Sequence, residues 1–92
     1  EILYNNVWGT VCDDLIEYAG TTQTNFLNVV CRQLNFSSAG TFDGNVLGGE
    51  DPISMDNVSC AGSEAGVSAC PFNGWQVHNC SHDEDTGVIC TP

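Results

Sequence analysis

The sequence predicts a small α+β domain in which disulfide bonds hold short strands against one principal helix. Three observations predict this class. Residues 1–12 are rich in β-branched and alternating side chains, residues 24–35 carry apolar side chains at helical spacing, and six cysteines occur among 92 residues. The first segment is predicted to form two short strands with a turn at Asn5 and Asn6.

The principal helix is predicted over residues 24–35. Thr24 is a suitable N-cap, and Asn35 can adopt the left-handed conformation that often ends a helix. The apolar face over nearly three turns consists of Phe26, Leu27, Val30, Cys31 and Leu34. The polar segment before this helix is predicted to be a loop.

The second half of the chain shows weaker patterns. Residues 37–51 are rich in Gly, Ser and Asp, which predicts a long loop. Pro52 can open a strand over residues 53–58, a short helical turn is predicted over residues 63–69, and residues 88–90 form a final strand.

The six cysteines favour disulfide bonds over zinc ligands. No Cys-x-x-Cys pair occurs, and at least nine residues separate neighbouring cysteines. Disulfides indicate an oxidising, extracellular compartment, although spacing alone leaves 15 pairings open. Three sequons, at Asn35, Asn57 and Asn79, could each accept a glycan in a secreted protein.

Charge excludes several classes of partner. Twelve acidic residues against a single Arg give a net charge of −11, which is unsuited to binding nucleic acid or an anionic membrane surface. No apolar run approaches the roughly 20 residues of a membrane-spanning helix. The chain starts in the middle of a strand pattern, so we expect a segment of a mature protein that inserts into no membrane by itself.

Several segments together resemble the scavenger receptor cysteine-rich domain in its six-cysteine class. They are VWGTVCDD (7–14), VVCRQL (29–34), MDNVSCAGSE (55–64), CP (70–71), NGW (73–75) and HNCSHDEDTGVIC (78–90). The resemblance implies one domain over residues 1–92 without the family's first strand, and a curved antiparallel β-sheet that cradles one principal α-helix. It also implies the disulfide pairs Cys12–Cys80, Cys31–Cys90 and Cys60–Cys70.

The resemblance also implies a cation site. From composition alone, Asp13 and Asp14 could be two solvated carboxylates on an acidic surface. In the family, however, this Asp pair and the Glu that corresponds to Glu84 bind a cation. Hard oxygen ligands suit Ca²⁺ or Mg²⁺.

Further positions of the family pattern have weaker implications. A second, weaker cation site would use Asp56 and Asn79, with Asn57 where an Asp often occurs. For His78 and His82, we expect structural hydrogen bonds in preference to metal ligation.

No catalytic function is predicted. The serine of GSEAG (62–66) stands one place too early for a nucleophile elbow, and disulfide-bonded cysteines provide no thiol nucleophile. We therefore expect an extracellular module that recognises protein or polyanionic ligands with the help of a divalent cation. The alternative is a structural spacer or accessory domain of a larger receptor or secreted enzyme, with no ligand of its own.

Overall fold

The computed structural model describes residues 1–37, 40–44 and 51–91, and it confirms the α+β class. Its elements are the strands β1 (Ile2–Tyr4), β2 (Val7–Val11), β3 (Gly40–Asp43), β4 (Ile53–Met55) and β5 (Gly87–Cys90), the helix α1 (Thr21–Gln33), and two 3-10 turns, Val67–Ala69 and His82–Glu84. No helix in these described ranges is both long and apolar enough to cross a membrane.

Strands β1 and β2 form the hairpin that the sequence predicts. Asn5 and Asn6 have φ angles of 52° and 63°. Two consecutive residues with positive φ match the twist of antiparallel strands, and asparagine tolerates this region better than most residues. Tyr4 therefore pairs directly with Val7 across the turn.

In the described part of the chain, the strands are arranged in two sheets. The first has the order β1-β2-β4, with β2 and β4 parallel, and the second pairs β3 with β5 antiparallel. A parallel pair is possible because the chain between β2 and β4 includes α1, which provides the long crossover that parallel strands require. Strand β4 ends at Met55, before the predicted end of its strand at residue 58.

Strand β3 corrects the prediction of a continuous loop over residues 37–51. Gly40–Asp43 pairs residue by residue with β5, from Gly40 with Cys90 to Asp43 with Gly87. This pairing joins segments far apart in the chain, so local composition gave no sign of it. Residues 45–50 lie outside the described residues.

The N-cap of helix α1 lies four residues earlier than predicted. Gly20 is the N-cap residue, without a side-chain cap, and Thr24 lies inside the helix with its N–H donating to the Gly20 carbonyl. The predicted end is confirmed. Asn35 has φ 67° and donates to the Arg32 carbonyl, while Phe36 donates to the Cys31 carbonyl. These two bonds form a Schellman motif.

The buried face of α1 differs from the predicted one at two positions. Leu34 is 58% exposed, whereas Val29 is fully buried. The helix packs into a core whose buried members are Ile16, Phe26, Leu27, Val29, Met55, Val58, Cys60, Val67 and Cys70. Ile16 belongs to a segment predicted as a polar loop, yet it is fully buried. This core joins α1 to the segments around β4 and the first 3-10 turn.

Three disulfides connect the elements. Cys31 of α1 bonds to Cys90 of β5, and Cys12 after β2 bonds to Cys80. The third closes the loop between Cys60 and Cys70. These are the pairs that the family resemblance implies. A disulfide of this kind typically contributes about 2–4 kcal/mol to stability.

Candidate cation site

The site forms where the end of β2 meets the second 3-10 turn. The Asp13 N–H donates to the Glu84 carbonyl at 2.9 Å, and Cys12 forms an isolated antiparallel bridge with Asp85. The Cys12–Cys80 disulfide holds the same two segments covalently, with a Cα–Cα distance of 6.4 Å. Backbone pairing and the disulfide therefore fix the position of each acidic residue in the site.

The carboxylates of Asp14 and Glu84 each contact one sulfur atom of that disulfide. Asp14 Oδ2 is 3.8 Å from Cys80 Sγ, and Glu84 Oε2 is 3.9 Å from Cys12 Sγ. Because a disulfide carries no S–H, these are contacts without a hydrogen bond. One oxygen from each carboxylate and both sulfurs lie within 4.8 Å of one another. The structure thus brings together two of the three residues predicted for the first site.

Asp13 joins the group through Asp14. Carboxylate oxygens of Asp13, Asp14 and Glu17 lie within 4.8 Å of one another, so Asp14 belongs to both groups. Glu17 was not predicted. Its N–H donates to the Asp13 carbonyl, and this tight turn returns its side chain to the Asp pair. Glu17 could have been predicted only if the sequence had indicated a tight turn over residues 13–17.

The local turn around Glu84 orients its carboxylate. The Ser81 N–H donates to Glu84 Oε1 at 3.4 Å, and the Ser81 hydroxyl donates to Asp83. The Glu84 N–H in turn donates to the Ser81 carbonyl. This capping arrangement holds the Glu84 side chain beside the disulfide.

The surroundings of Asp13 disfavour its ionised form. Burial, followed by the neighbouring charges of Glu17, Glu84 and Asp14, raises the pKa of Asp13 to about 6. Its Oδ1 atom is buried and has no hydrogen-bond partner among the described residues. Burial also raises the pKa of Asp14, and the nearby Asp56 carboxyl adds to that shift. Burial and the neighbouring carboxylates therefore disfavour the ionised form of both aspartates.

The residues of the predicted second site lie next to the first. Asp56 is 1% exposed, its carboxyl helps to raise the pKa of Asp14, and it accepts the Asn57 N–H at 2.8 Å. Asn79 is exposed, and its Oδ1 is 3.7 Å from Cys80 Sγ. The structure therefore connects Asp56 to the first site directly and places Asn79 at its edge.

Both histidines make hydrogen bonds near the site. His82 Nδ1 lies 2.8 Å from Asp85 Oδ2, and this hydrogen bond raises the pKa of His82. His78 Nδ1 accepts the Cys80 N–H at 3.1 Å. Asp85 is 3% exposed, so His82 provides a partner for a carboxylate that is largely removed from water.

Comparison with known proteins identifies the family of this chain. The sequence profile described as "Scavenger receptor cysteine-rich domain" matches residues 1–91. The chain belongs to the scavenger receptor cysteine-rich domain family. Human lysyl oxidase homolog 4 is 46% identical over 94 residues, which are 100% of this chain and 12% of that protein. A scavenger receptor cysteine-rich domain superfamily protein of Patiria pectinifera is 40% identical over 98% of this chain and 8% of its own length.

Solved structures agree with the family assignment. The dimeric form of the SRCR domain of mouse MARCO matches with a TM-score of 0.80 and 40% identity, over 98% of this chain and 81% of that chain. The third SRCR domain of murine neurotrypsin matches with a TM-score of 0.76 and 39% identity, over 96% and 78% of the two chains. The chain therefore corresponds to the scavenger receptor cysteine-rich part of much longer relatives.

Arg32 is the one Arg or Lys residue of this scavenger receptor cysteine-rich domain, and it hydrogen-bonds to a loop that does not belong to the acidic site. Arg32 donates to the carbonyls of Gly62 and Glu64, at 2.9 and 2.7 Å. The Glu64 carboxylate accepts the N–H groups of Ala61 and Gly62, and the first of these bonds contributes most to lowering the pKa of Glu64. Arg32 thus fastens the loop after Cys60 to α1.

The three sequons of the domain occupy different environments. Asn35 is exposed at the C-terminal end of α1, and Asn79 is exposed beside the acidic site. Asn57 is half-buried, between Asp56 and Val58, which are 1% and 0% exposed. The structure therefore distinguishes sites that look equivalent in sequence.

Proposed function

We propose that this chain is an extracellular recognition module that binds a divalent cation, Ca²⁺ or Mg²⁺, through Asp13, Asp14 and Glu84. One observation carries the proposal: Asp14 and Glu84 meet at a disulfide, and the neighbouring Asp13 is buried with a carboxylate oxygen that has no hydrogen-bond partner among the described residues. Carboxylate oxygens are the ligands that these hard cations prefer. The donor set therefore fits the group that the family implies.

A cation at this position would convert mutual repulsion into attraction. Two carboxylates about 4 Å apart repel each other by roughly 4 kcal/mol at an effective dielectric of 20. Ca²⁺ takes 6–8 oxygen ligands, so a site with a few carboxylates leaves positions open for water or a ligand anion. This chemistry allows the chain to hold an anionic ligand despite its net charge of −11.

The ligands proposed for the module are extracellular proteins or polyanions. Direct capture of polyanions by basic side chains is not the mechanism we propose, because the only Arg or Lys is Arg32 and it already binds two carbonyls. Three disulfides and the exposed sequons at Asn35 and Asn79 support an extracellular location.

A second candidate function is that of a spacer or accessory domain within a larger protein. The observation that favours it is coverage, because the chain spans only 12% of human lysyl oxidase homolog 4. In this case, the cation would stabilise the fold without binding a ligand. The two candidates differ in whether the isolated domain retains any ligand of its own.

Binding to immobilised dextran sulfate, a polyanion, separates these possibilities. We expect the parent chain to bind in millimolar Ca²⁺ and to lose binding in EDTA, because the cation links the two anionic partners. Asp14→Asn should bind weakly, while Arg32→Ala should bind nearly as well as the parent if its melting curve shows that it is folded. Binding that persists in EDTA would contradict the bridging mechanism, and no binding in either buffer would favour the accessory role.

A further inference from the structure

The end of α1 carries a sequon with no role in the cation site. We propose that Asn35 bears an N-linked glycan and that this glycan covers the exposed apolar side chains on either side of it, Leu34 and Phe36. The inference rests on the extracellular location proposed above and is independent of cation binding. It selects one acceptor among the three sequons, at Asn35, Asn57 and Asn79.

The backbone around Asn35 presents the residue at the surface. Asn35 occupies the left-handed position of the Schellman motif, with φ 67°, and only its backbone N–H takes part in the helix end. No hydrogen bond to its side chain is found in the described part of the chain. Residues 32–37 are all exposed, so a bulky group on the Asn35 side chain displaces no packed neighbour.

The neighbours of Asn35 explain what a glycan would do there. Leu34 is 58% exposed and Phe36 is 43% exposed. Both are apolar side chains beside a helix end, where a polar oligosaccharide can shield them from other molecules.

The other two sequons are less compatible with a glycan in the folded chain. Asn57 is half-buried between two buried residues, and its backbone N–H donates to the Asp56 carboxylate. The sequon of Asn79 has the half-cystine Cys80 at its centre. A glycan on Asn79 would also lie over the acidic site. Asn35 has neither obstacle.

The modification transfers an oligosaccharide to the Asn35 side chain. The donor class is an oligosaccharide linked to a lipid diphosphate. A bond forms between Asn35 Nδ2 and the anomeric carbon, the bond from that carbon to the diphosphate oxygen breaks, and the lipid diphosphate leaves with the electron pair. Asn35 Nδ2 loses one proton, and nothing is oxidised or reduced. In the folded chain, the Ser37 hydroxyl donates to the Thr91 carbonyl, so transfer precedes the docking of the C-terminal segment.

Peptide mapping of the secreted 92-residue chain tests the acceptor assignment. The chain is directed through the secretory pathway of animal cells by an added leader and treated with peptide N-glycosidase in heavy-oxygen water. We expect a fall in mass and one labelled aspartate, at position 35. A secreted chain with an unmodified Asn35, or with a label at Asn57 or Asn79 instead, would overturn the proposal. This result does not depend on calcium, so it is distinct from a failure of the cation site.

A matched pair of variants tests what the glycan does. Ser37→Ala destroys the sequon and leaves Asn35 at the helix end, whereas Ser37→Thr preserves both. We expect the Ser37→Ala chain to bind an apolar fluorescent dye several-fold more strongly than the Ser37→Thr chain, and an added Phe36→Ser substitution to reverse most of that gain. Equal dye binding by the Ser37→Ala and Ser37→Thr chains would overturn the shielding role.

Discussion

Asp13 is the side chain whose environment departs most from that of an ordinary surface carboxylate. Burial and three acidic neighbours raise its pKa from 3.8 to about 6. The folded chain therefore holds this proton more tightly than the unfolded chain does. The stability that protonation provides is fully present below the unfolded pKa and is lost as the pH rises through about 6. A shift of this size corresponds to at most about 3 kcal/mol.

Replacing Asp13 with asparagine should remove this dependence on pH. In EDTA at pH 7.5, we expect Asp13→Asn to raise the free energy of unfolding by about 1–3 kcal/mol, because the variant mimics the protonated side chain. At pH 4, the gain should nearly vanish. Urea denaturation at the two pH values measures both quantities, and Asp51→Asn serves as an exposed control with the same change in charge. A gain of equal size at both pH values would contradict the burial argument.

At the same scale, the residue types of the site were predictable but their neighbours were not. Asp13, Asp14 and Glu84 were predicted through the family resemblance; Asp14 and Glu84 lie at the Cys12–Cys80 disulfide, and Asp13 lies beside Asp14. Glu17 approaches the pair through a tight turn, and Asp56 approaches Asp14 from a different segment of the chain. Neither approach follows from the local pattern, because each depends on how the backbone turns.

At the scale of the elements, strands β2 and β4 pack so closely at Gly9 that no side chain would fit there. A Cβ atom on Gly9 would lie 1.8 Å from Ser54 Oγ and 2.8 Å from the Pro52 carbonyl oxygen. The second contact is to backbone and cannot be relieved by a rotamer change. Gly9 is buried and lies one residue before Thr10, which pairs with Ile53. The close approach of these strands therefore requires glycine at this position.

Gly9→Ala should separate β2 from β4. We expect the free energy of unfolding to fall by about 1–3 kcal/mol or more, as overpacking in a dense interior does. Gly66→Ala is the matched control, because its Cβ would meet only the end of the flexible Gln33 side chain, at 3.2 Å or beyond. Thermal melting of the two variants measures the difference. Equal melting temperatures would show that β2 and β4 do not pack this closely.

The elements that sequence predicts best are those defined by local backbone preferences. Asn5 and Asn6 mark the hairpin, and Asn35 marks the end of α1, because each asparagine adopts the positive φ that its turn requires. Strand β3 could not be predicted this way, since it depends on pairing with β5 about 45 residues later. The start of α1 was missed because Gly20 caps it without a side-chain signal.

At the scale of the whole molecule, the disulfides decide which acidic residues can meet. Six cysteines allow 15 pairings, and spacing alone does not choose among them. The resemblance chose Cys12–Cys80, and this bond joins segments 68 positions apart in sequence. With a net charge of −11, the domain has carboxylates in surplus, and this cross-link brings Asp14 and Glu84 together from distant parts of the chain. The site is therefore a consequence of the covalent framework.

The melting temperature of the parent chain, in EDTA and in increasing Ca²⁺, tests the cation site most directly. Extracellular modules bind Ca²⁺ at about 10⁻⁴ to 10⁻³ M, so millimolar Ca²⁺ should raise the melting temperature by roughly 5–10 °C at ten times the dissociation constant. Asp14→Asn should lose most of this shift and be no less stable in EDTA, while Asp51→Asn should keep the shift. A parent melting temperature indifferent to millimolar Ca²⁺ and Mg²⁺ would contradict the cation site and the mechanism built on it.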